Sequence, residues 1–413
     1  MLESRSTAPL QRASSLDPAR GLRALSAEEQ LVLACCRPVA RPNRLPAIQA
    51  AARATIDAEV LLRLATTHRI EGLVELGLRD AGVVLPPAAQ MTLTKRADRR
   101  RKQLMALAGE ETRLASAFAA AGLDCLFLKG ATLALRAHGS LACKSSKDID
   151  LLINPGAIDA AAQLLRSHGY RLAQFGGTLD DRAAKRWLAA TKETSWINDA
   201  RQIELELHIT LADGPNLMPD IGLRAPRQPI EFVPGKPVET LADAELFTYL
   251  CVHGTGHGWE RLKWLADLAA LIEAVPIPIE QLHHRAIAMG AGHCSGVALY
   301  LAATLLGTKV PPAVINAVCR EPSARRLIRM ALVLIRAGAV RHEEKRRPIN
   351  TTGALLFAKY WFLPGNRYRT AMLWHDLTYP HSRGHLALPK WALPAYTLAW
   401  VPARILSRPW RRP

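Results

Sequence analysis

Lys147-Asp148-Ile149-Asp150-Leu151-Leu152-Ile153 is the stretch whose reading decides the fold. Successive side chains of a strand point to opposite faces, so residues two apart share one. Asp148 and Asp150 therefore point the same way, about 6–7 Å apart along the backbone. The apolar run from Leu151 to Ile153 suits a buried strand, and Asn154-Pro155-Gly156 closes it with a turn. Paired carboxylates on one face offer hard oxygen ligands for Mg²⁺, which also takes substrate phosphate oxygens. Alone, such a pair is more often two solvated acids at a strand start.

Working outward, Cys125 to Leu128 reads as a short buried strand ending at Lys129 and Gly130, and Ala131 to Ala137 as a helix. Glycine at such a junction lets backbone approach a phosphate, and the following helix offers free N–H groups. Gly139 to Lys147 is a polar loop, and Ala157 to Ser167 an Ala/Leu-rich helix. From Ile203 to Ile209 apolar residues alternate with Glu204, Glu206 and His208, the pattern of a half-buried strand. Three acids on two adjacent strands can hold two metal ions, one activating an acceptor hydroxyl and one neutralising a nucleoside triphosphate.

In combination, Phe127-Leu128-Lys129-Gly130, Lys147 to Ile153, Gly169-Tyr170 and Glu206-Leu207-His208 resemble the uncharacterised nucleotidyltransferase family of bacteria, within the polymerase-beta-like superfamily. His253-Gly254-Thr255-Gly256-His257-Gly258-Trp259-Glu260-Arg261-Leu262-Lys263-Trp264-Leu265-Ala266-Asp267 resembles that family's helical signature, and the likeness covers about residues 26–330. The resemblance implies that Asp148, Asp150 and Glu206 are catalytic, metal-binding carboxylates. It places Lys129, Gly130, Ala131, Thr132 and Lys147 at the nucleotide. Glu204 and His208 are candidates for the surrounding shell, and a plain structural role for His208 stays open. Two departures stand out: Gly130-Ala131 replaces the usual Gly-Ser or Gly-Gly, and Lys144 to Lys147 lacks the common Arg, so bidentate geometry is lost.

The expected fold is α+β and mostly helical: a small mixed β-sheet nucleotidyltransferase core flanked by N- and C-terminal helical regions. Residues 1–25 read as a flexible tail and 26–110 as a helical region that opens with a Ser26/Glu29 capping box. The core spans 111–212, and 213–240, rich in Pro and Gly, reads as a linker or long loop. A C-terminal helical domain covers 241–340, and 341–413 is a basic Pro/Trp-rich region. Apolar spacing predicts helix over 56–81 and over 312–337. His253 and His257 have metal-ligand spacing, but the carboxylates of a zinc protease are absent and glycines crowd the segment. Arg261 and Lys263 read as salt-bridged residues with Asp267 as the candidate partner, ahead of a phosphate contact.

Formal net charge is +18, which attracts phosphate-bearing partners without selecting a function. Seven cysteines in no C-x-x-C pair argue against a zinc ribbon or redox motif and fit reduced thiols in a cytoplasmic protein. No signal peptide or membrane span is read. The expected activity transfers a nucleotidyl (NMP) group from an NTP, with ATP expected, to a hydroxyl of a protein, peptide or small molecule, using Mg²⁺ or Mn²⁺. The alternatives are a catalytically weak, antitoxin-like binding or regulatory protein of the same fold, and a basic nucleic-acid-binding protein. Nucleic acid is not favoured, because basic residues are not interleaved with aromatics. Membrane-surface contact through the C-terminal Trp/Arg tail is a minor reading.

Overall fold

Apolar alternation builds a five-stranded mixed sheet from β1 (Cys125–Phe127), β2 (Asp148–Ile153), β3 (Arg171–Leu172), β4 (Glu193–Asn198) and β5 (Ile203–His208), in the order β1-β2-β5-β4-β3. The structure, a computed structural model, describes residues 25–173, 192–212, 214, 217–340 and 358–378. Strands β2 and β5 run parallel, with Asp148 opposite Glu204, Asp150 opposite Glu206 and Leu152 opposite His208; the other pairs are antiparallel.

The remaining elements cover the sheet. Helices α1 (Ala27–Cys35), α2 (Arg44–Ala51), α3 (Ala58–Thr67), α4 (Glu71–Asp80) and α5 (Pro87–Ala120) precede it. Within it come α6 (Ala131–His138) and α7 (Ile158–Ser167), and after it a hairpin, β6 (Arg227–Val233) and β7 (Lys236–Leu241). Helices α8 (Asp243–Gly256), α9 (Leu262–Ala274), α10 (Ile279–Ala288), α11 (Gly292–Leu306), α12 (Pro312–Arg320), α13 (Pro322–Val340) and α14 (Asn366–Thr378) follow. The described residues are thus α+β and mostly helical.

Two apolar cores meet at the sheet. Ile149, Leu151, Ile153, Leu205 and Leu207 pack with Leu107 and Phe118 of α5 and Leu165 of α7. Leu126, Leu128 and Leu152 join a larger core that includes Phe247 of α8, Leu265 of α9 and Leu299 of α11. Asp148 and Asp150 share parity with Leu152, so they face the C-terminal helices.

Several sequence expectations are met closely. Ser26 caps α1, its hydroxyl accepting the Glu29 N–H while Glu29 accepts the Ser26 N–H. Others are corrected. The span 213–240, read as a linker, contains most of the β6–β7 hairpin, and Val238 lies in the sheet core. Pro229 and Pro237 hid it, yet both are tolerated because a two-stranded ribbon has free edges. The helix expected over 312–337 breaks at Glu321, which is extended before Pro322. The helix over 56–81 divides at His68 and Arg69, where Arg69 takes a positive φ of 55°. Residues 1–24 and most of 341–413 lie outside the described residues. Among those described, no helix is long and apolar enough to cross a membrane.

The described C-terminal segment is fastened by Trp361, which sits between Arg326 and Arg369, each guanidinium 4.2 Å from the ring centroid. Phe362, Tyr368 and Met372 complete the larger core there.

Buried Asp267 of α9 joins the helical half to the sheet half. It accepts from the Lys144 ammonium, and its Oδ1 lies 3.0 Å from His138 Nε2 at the end of α6. Burial alone would raise this carboxyl, but Lys144 and His138 outweigh burial and hold it down to about 2. An unfolded Asp titrates near about 3.9, so this contribution is complete above about pH 4 and is lost as pH falls toward about 2. Asp267→Asn leaves Lys144 buried without its anion and is expected to cost about 3 kcal/mol at neutral pH. Urea titrations should show the gap to wild type narrowing by about 2 kcal/mol across that acid range.

Candidate active site

A cleft of about 570 Å³ opens between the polar face of the sheet and the C-terminal helices. Lys129, Asp148, Glu206 and His208 line it from the core. Tyr249 and His253 of α8 and His257 at its C-cap, with Lys263 and Trp264 of α9, form the facing wall. Arg69 enters from the α3–α4 turn, and Tyr368 and Met372 of α14 close another side.

Asp150 does not line the cleft but lies buried behind Lys129 and His208, its side chain 0% exposed. Lys129 Nζ is 2.8 Å from Asp150 Oδ1, and His208 Nε2 is 3.1 Å from the same oxygen. The other oxygen, Oδ2, is buried without a hydrogen-bond partner. Burial would raise the Asp150 carboxyl, yet Lys129 and then His208 outweigh it and hold it far below the usual carboxylate range. Lys129 answers in kind: burial disfavours its charge, but Asp150 raises it above the ordinary lysine range.

His208 bridges the acids. Its Nε2 is 3.7 Å from Glu206 Oε2, and its Nδ1 is 3.3 Å from Glu193 Oε2 without hydrogen-bond alignment. Burial opposes the imidazolium, while hydrogen bonds to Asp150 and Glu206 raise His208 above its ordinary value. The His208 hydrogen bond lowers the Glu206 carboxyl; burial and the Asp150 charge overcome this and raise it. One ligand atom from each of Asp150, Glu206 and His208 falls within a 4.8 Å group.

That group suits a divalent cation. Asp150 Oδ2 is a buried anionic oxygen with no hydrogen-bond donor among the described residues, and Glu206 supplies a second carboxylate. Two carboxylates are the donors Mg²⁺ or Mn²⁺ prefers, with His208 holding both in place.

The other expected residues divide. Asp148 lines the cleft and accepts a 3.3 Å hydrogen bond from the Ser146 hydroxyl, but it lies outside the 4.8 Å group. Glu204 is exposed and pairs with Lys147 at 3.0 Å, so it too lies outside. Lys129 and Lys147 reach the cleft lining; Gly130, Ala131 and Thr132 are buried and do not. The reason is Glu111 of α5, whose Oε1 accepts the Ala131 N–H at 3.3 Å. Thr132 turns its hydroxyl back to the Lys129 carbonyl, 3.1 Å away. Burial, reinforced by Asp150 against the Ala131 N–H, pushes Glu111 up to about 8. Gly130 has φ 78°, ψ −126°, and a Cβ there would lie 3.1 Å from Glu111 Oε1, so glycine is required beside this acid.

The helical signature is also explained. Asp267 pairs with Lys144 and His138, whereas Lys263 donates to the Ser145 carbonyl at 3.3 Å. His257 stacks on Trp264 with centroids 4.8 Å apart, and His253 lies 4.6 Å from His257. Burial drives both imidazoles down, His257 to about 3, so they form a neutral aromatic wall. A Cβ on Gly254 would come within 2.4 Å of the Trp259 ring, which packs on that helix turn.

Residues 54–307, more than half of the chain, match the family model described as uncharacterised nucleotidyltransferase. The chain belongs to this family. The matched segment is shorter at both ends than the likeness over about 26–330, but contains the whole nucleotidyltransferase sheet, α8 and α9. A comparison with curated proteins gave no match. Sequence reasoning missed Glu111 and Arg69 in this nucleotidyltransferase: Glu111 sits unmarked in a 34-residue helix, and Arg69 follows the end of another.

Asp150→Asn removes the anion facing buried Lys129 and is expected to cost about 3 kcal/mol in urea unfolding. The double variant Asp150→Asn/Lys129→Met should recover at least about 1 kcal/mol of that. Equal destabilisation in the single and double variants would place the cost elsewhere than in the unpaired ammonium.

Proposed function

We propose that the protein is a metal-dependent nucleotidyltransferase that moves an NMP group from an NTP, with ATP expected, to a hydroxyl of a protein, peptide or small molecule. The observation that carries this reading is the Asp150–Glu206–His208 group, in which Asp150 keeps one buried oxygen, Oδ2, without a donor among the described residues. Asp150 and Glu206 would hold Mg²⁺ or Mn²⁺, and Asp148, on the adjoining wall, would complete the carboxylate set. A bound ion would offset triphosphate charge and acidify the acceptor hydroxyl. Lys129 keeps Asp150 ionised, and His208 fixes the separation of the two carboxylates. The acceptor oxygen would bond to the α-phosphorus as the bond to pyrophosphate breaks.

Lys129 also favours a second reading. Its ammonium already neutralises one oxygen of Asp150. A protein in which it stood in for the metal would bind nucleotide without turning it over, as a regulatory module.

Because Asp150 also supports the fold, half-buried Glu206 is the better test. Wild type with Mg²⁺ or Mn²⁺ should move label from α-³²P-NTP into an acceptor pool, and Glu206→Gln should reduce transfer by at least about 100-fold while unfolding normally. Metal-dependent NTP binding without transfer would favour the regulatory module; transfer undiminished in Glu206→Gln would sink the carboxylate assignment.

A further inference from the structure

We propose that Arg69 and Lys263 form a polyphosphate subsite in the cleft, holding the β- and γ-phosphates of the NTP. This assignment rests on the transfer reading above. It departs from the site that the glycine motif suggests.

The motif site is already filled. The Glu111 carboxyl takes the Ala131 N–H, so a side chain occupies the place where the first turn of α6 would meet phosphate. The nearby lysines have anions of their own: Lys129 pairs with Asp150, Lys144 with Asp267 and Lys147 with Glu204.

Arg69 and Lys263 differ. Both line the cleft. The Arg69 guanidinium makes no hydrogen bond or ion pair with any described residue. The Lys263 ammonium makes one hydrogen bond, 3.3 Å to the neutral Ser145 carbonyl, and leaves two of its three donors unused. Burial first, then the neighbouring charges of Lys144 and Arg69, press its proton affinity well below the ordinary lysine value. Arg69 is lowered likewise by burial and by Arg261 and Arg100. Cations gathered without a directly paired anion are unfavourable, the nearby acids notwithstanding, until a multiply charged anion arrives.

The backbone keeps them together. His68 accepts the Leu262 N–H at its Nδ1 and the Lys263 N–H at its carbonyl, both at 3.3 Å. Burial holds the His68 imidazole down to about 4, so that ring nitrogen stays free to accept. The α3–α4 turn is thereby fixed to the first turn of α9, and Arg69 projects from that turn at φ 55°. Asp148 lies within the field of both cations. The phosphates they hold would adjoin the carboxylates, with the α-phosphate on the Asp150–Glu206 side. A guanidinium fork beside an ammonium matches the non-bridging oxygens of linked phosphates.

The test is calorimetric titration of the full chain with NTP, inorganic tripolyphosphate and NMP, without divalent metal, on wild type, Arg69→Gln, Arg69→Lys and Lys263→Met. Loss of a charge-assisted contact should weaken NTP and tripolyphosphate about tenfold or more in Arg69→Gln and Lys263→Met, with NMP affinity unchanged. Arg69→Lys should recover part of the loss. In anion-free buffer Lys263→Met should melt at or above the wild-type temperature, and it should lose most of the tripolyphosphate-induced rise. Wild-type label transfer with unchanged tripolyphosphate affinity in the variants would overturn the subsite and leave the transfer reading standing. Variant-sensitive tripolyphosphate binding without transfer would keep the subsite and sink that reading. Wild type that binds neither NTP nor tripolyphosphate, or a Lys263→Met protein that fails to fold, overturns the proposal.

Discussion

The parallel pairing of β2 with β5 is the constraint on which the site depends. Asp148 lies opposite Glu204 and Asp150 opposite Glu206, so four acids and His208 share one face. A slip of one residue would turn those acids into the layer of Leu107, Phe118 and Leu165. The apolar residues on the other face, Ile149, Leu151, Leu205 and Leu207, enforce the register, each worth about 1.5–3 kcal/mol when buried. Burial of one face therefore concentrates charge on the other.

The surrounding structure handles that charge in two ways. Some groups are neutralised: Lys129 by Asp150 and Lys144 by Asp267. The second of these pairs joins the helical half to the sheet half. Others stay unsatisfied, namely Asp150 Oδ2, the Arg69 guanidinium and two donors of Lys263. Arg69 and Lys263 line one cleft, and Asp150 lies behind the Lys129 and His208 that line it as well. This division suits a ligand that carries both a metal ion and phosphates.

Much of this was legible from local pattern. Alternation at Ile203 to His208 and the apolar run after Asp150 mark strands, because period-two burial leaves a direct trace in sequence. Parity put Asp150 on the face of Asp148 and Glu206 on the face of Glu204; their meeting took the β2–β5 register. Features made by distant contacts left no such trace. Nothing in Pro87–Ala120 marks Glu111 as the acid that would meet Ala131, twenty residues on. The Gly130 motif read as phosphate-facing because glycine permits close approach, and here the group that approaches is a carboxylate. His208 read as peripheral because strand parity placed it beside Glu206 but could not say that it would reach Asp150 as well. The β6–β7 hairpin was obscured by its prolines, which mark loops more often than ribbon edges.

Trp361, clasped by two guanidiniums, ties down a segment that the family match does not include. Through Tyr368 and Met372 that segment forms part of the cleft wall, while the carboxylates stand on matched strands. Chemistry and admission are therefore encoded in separate stretches of chain. Substitution in the outer stretch can remodel the entrance, and with it the size and shape of what the cleft admits, while the carboxylates on the matched strands stay untouched.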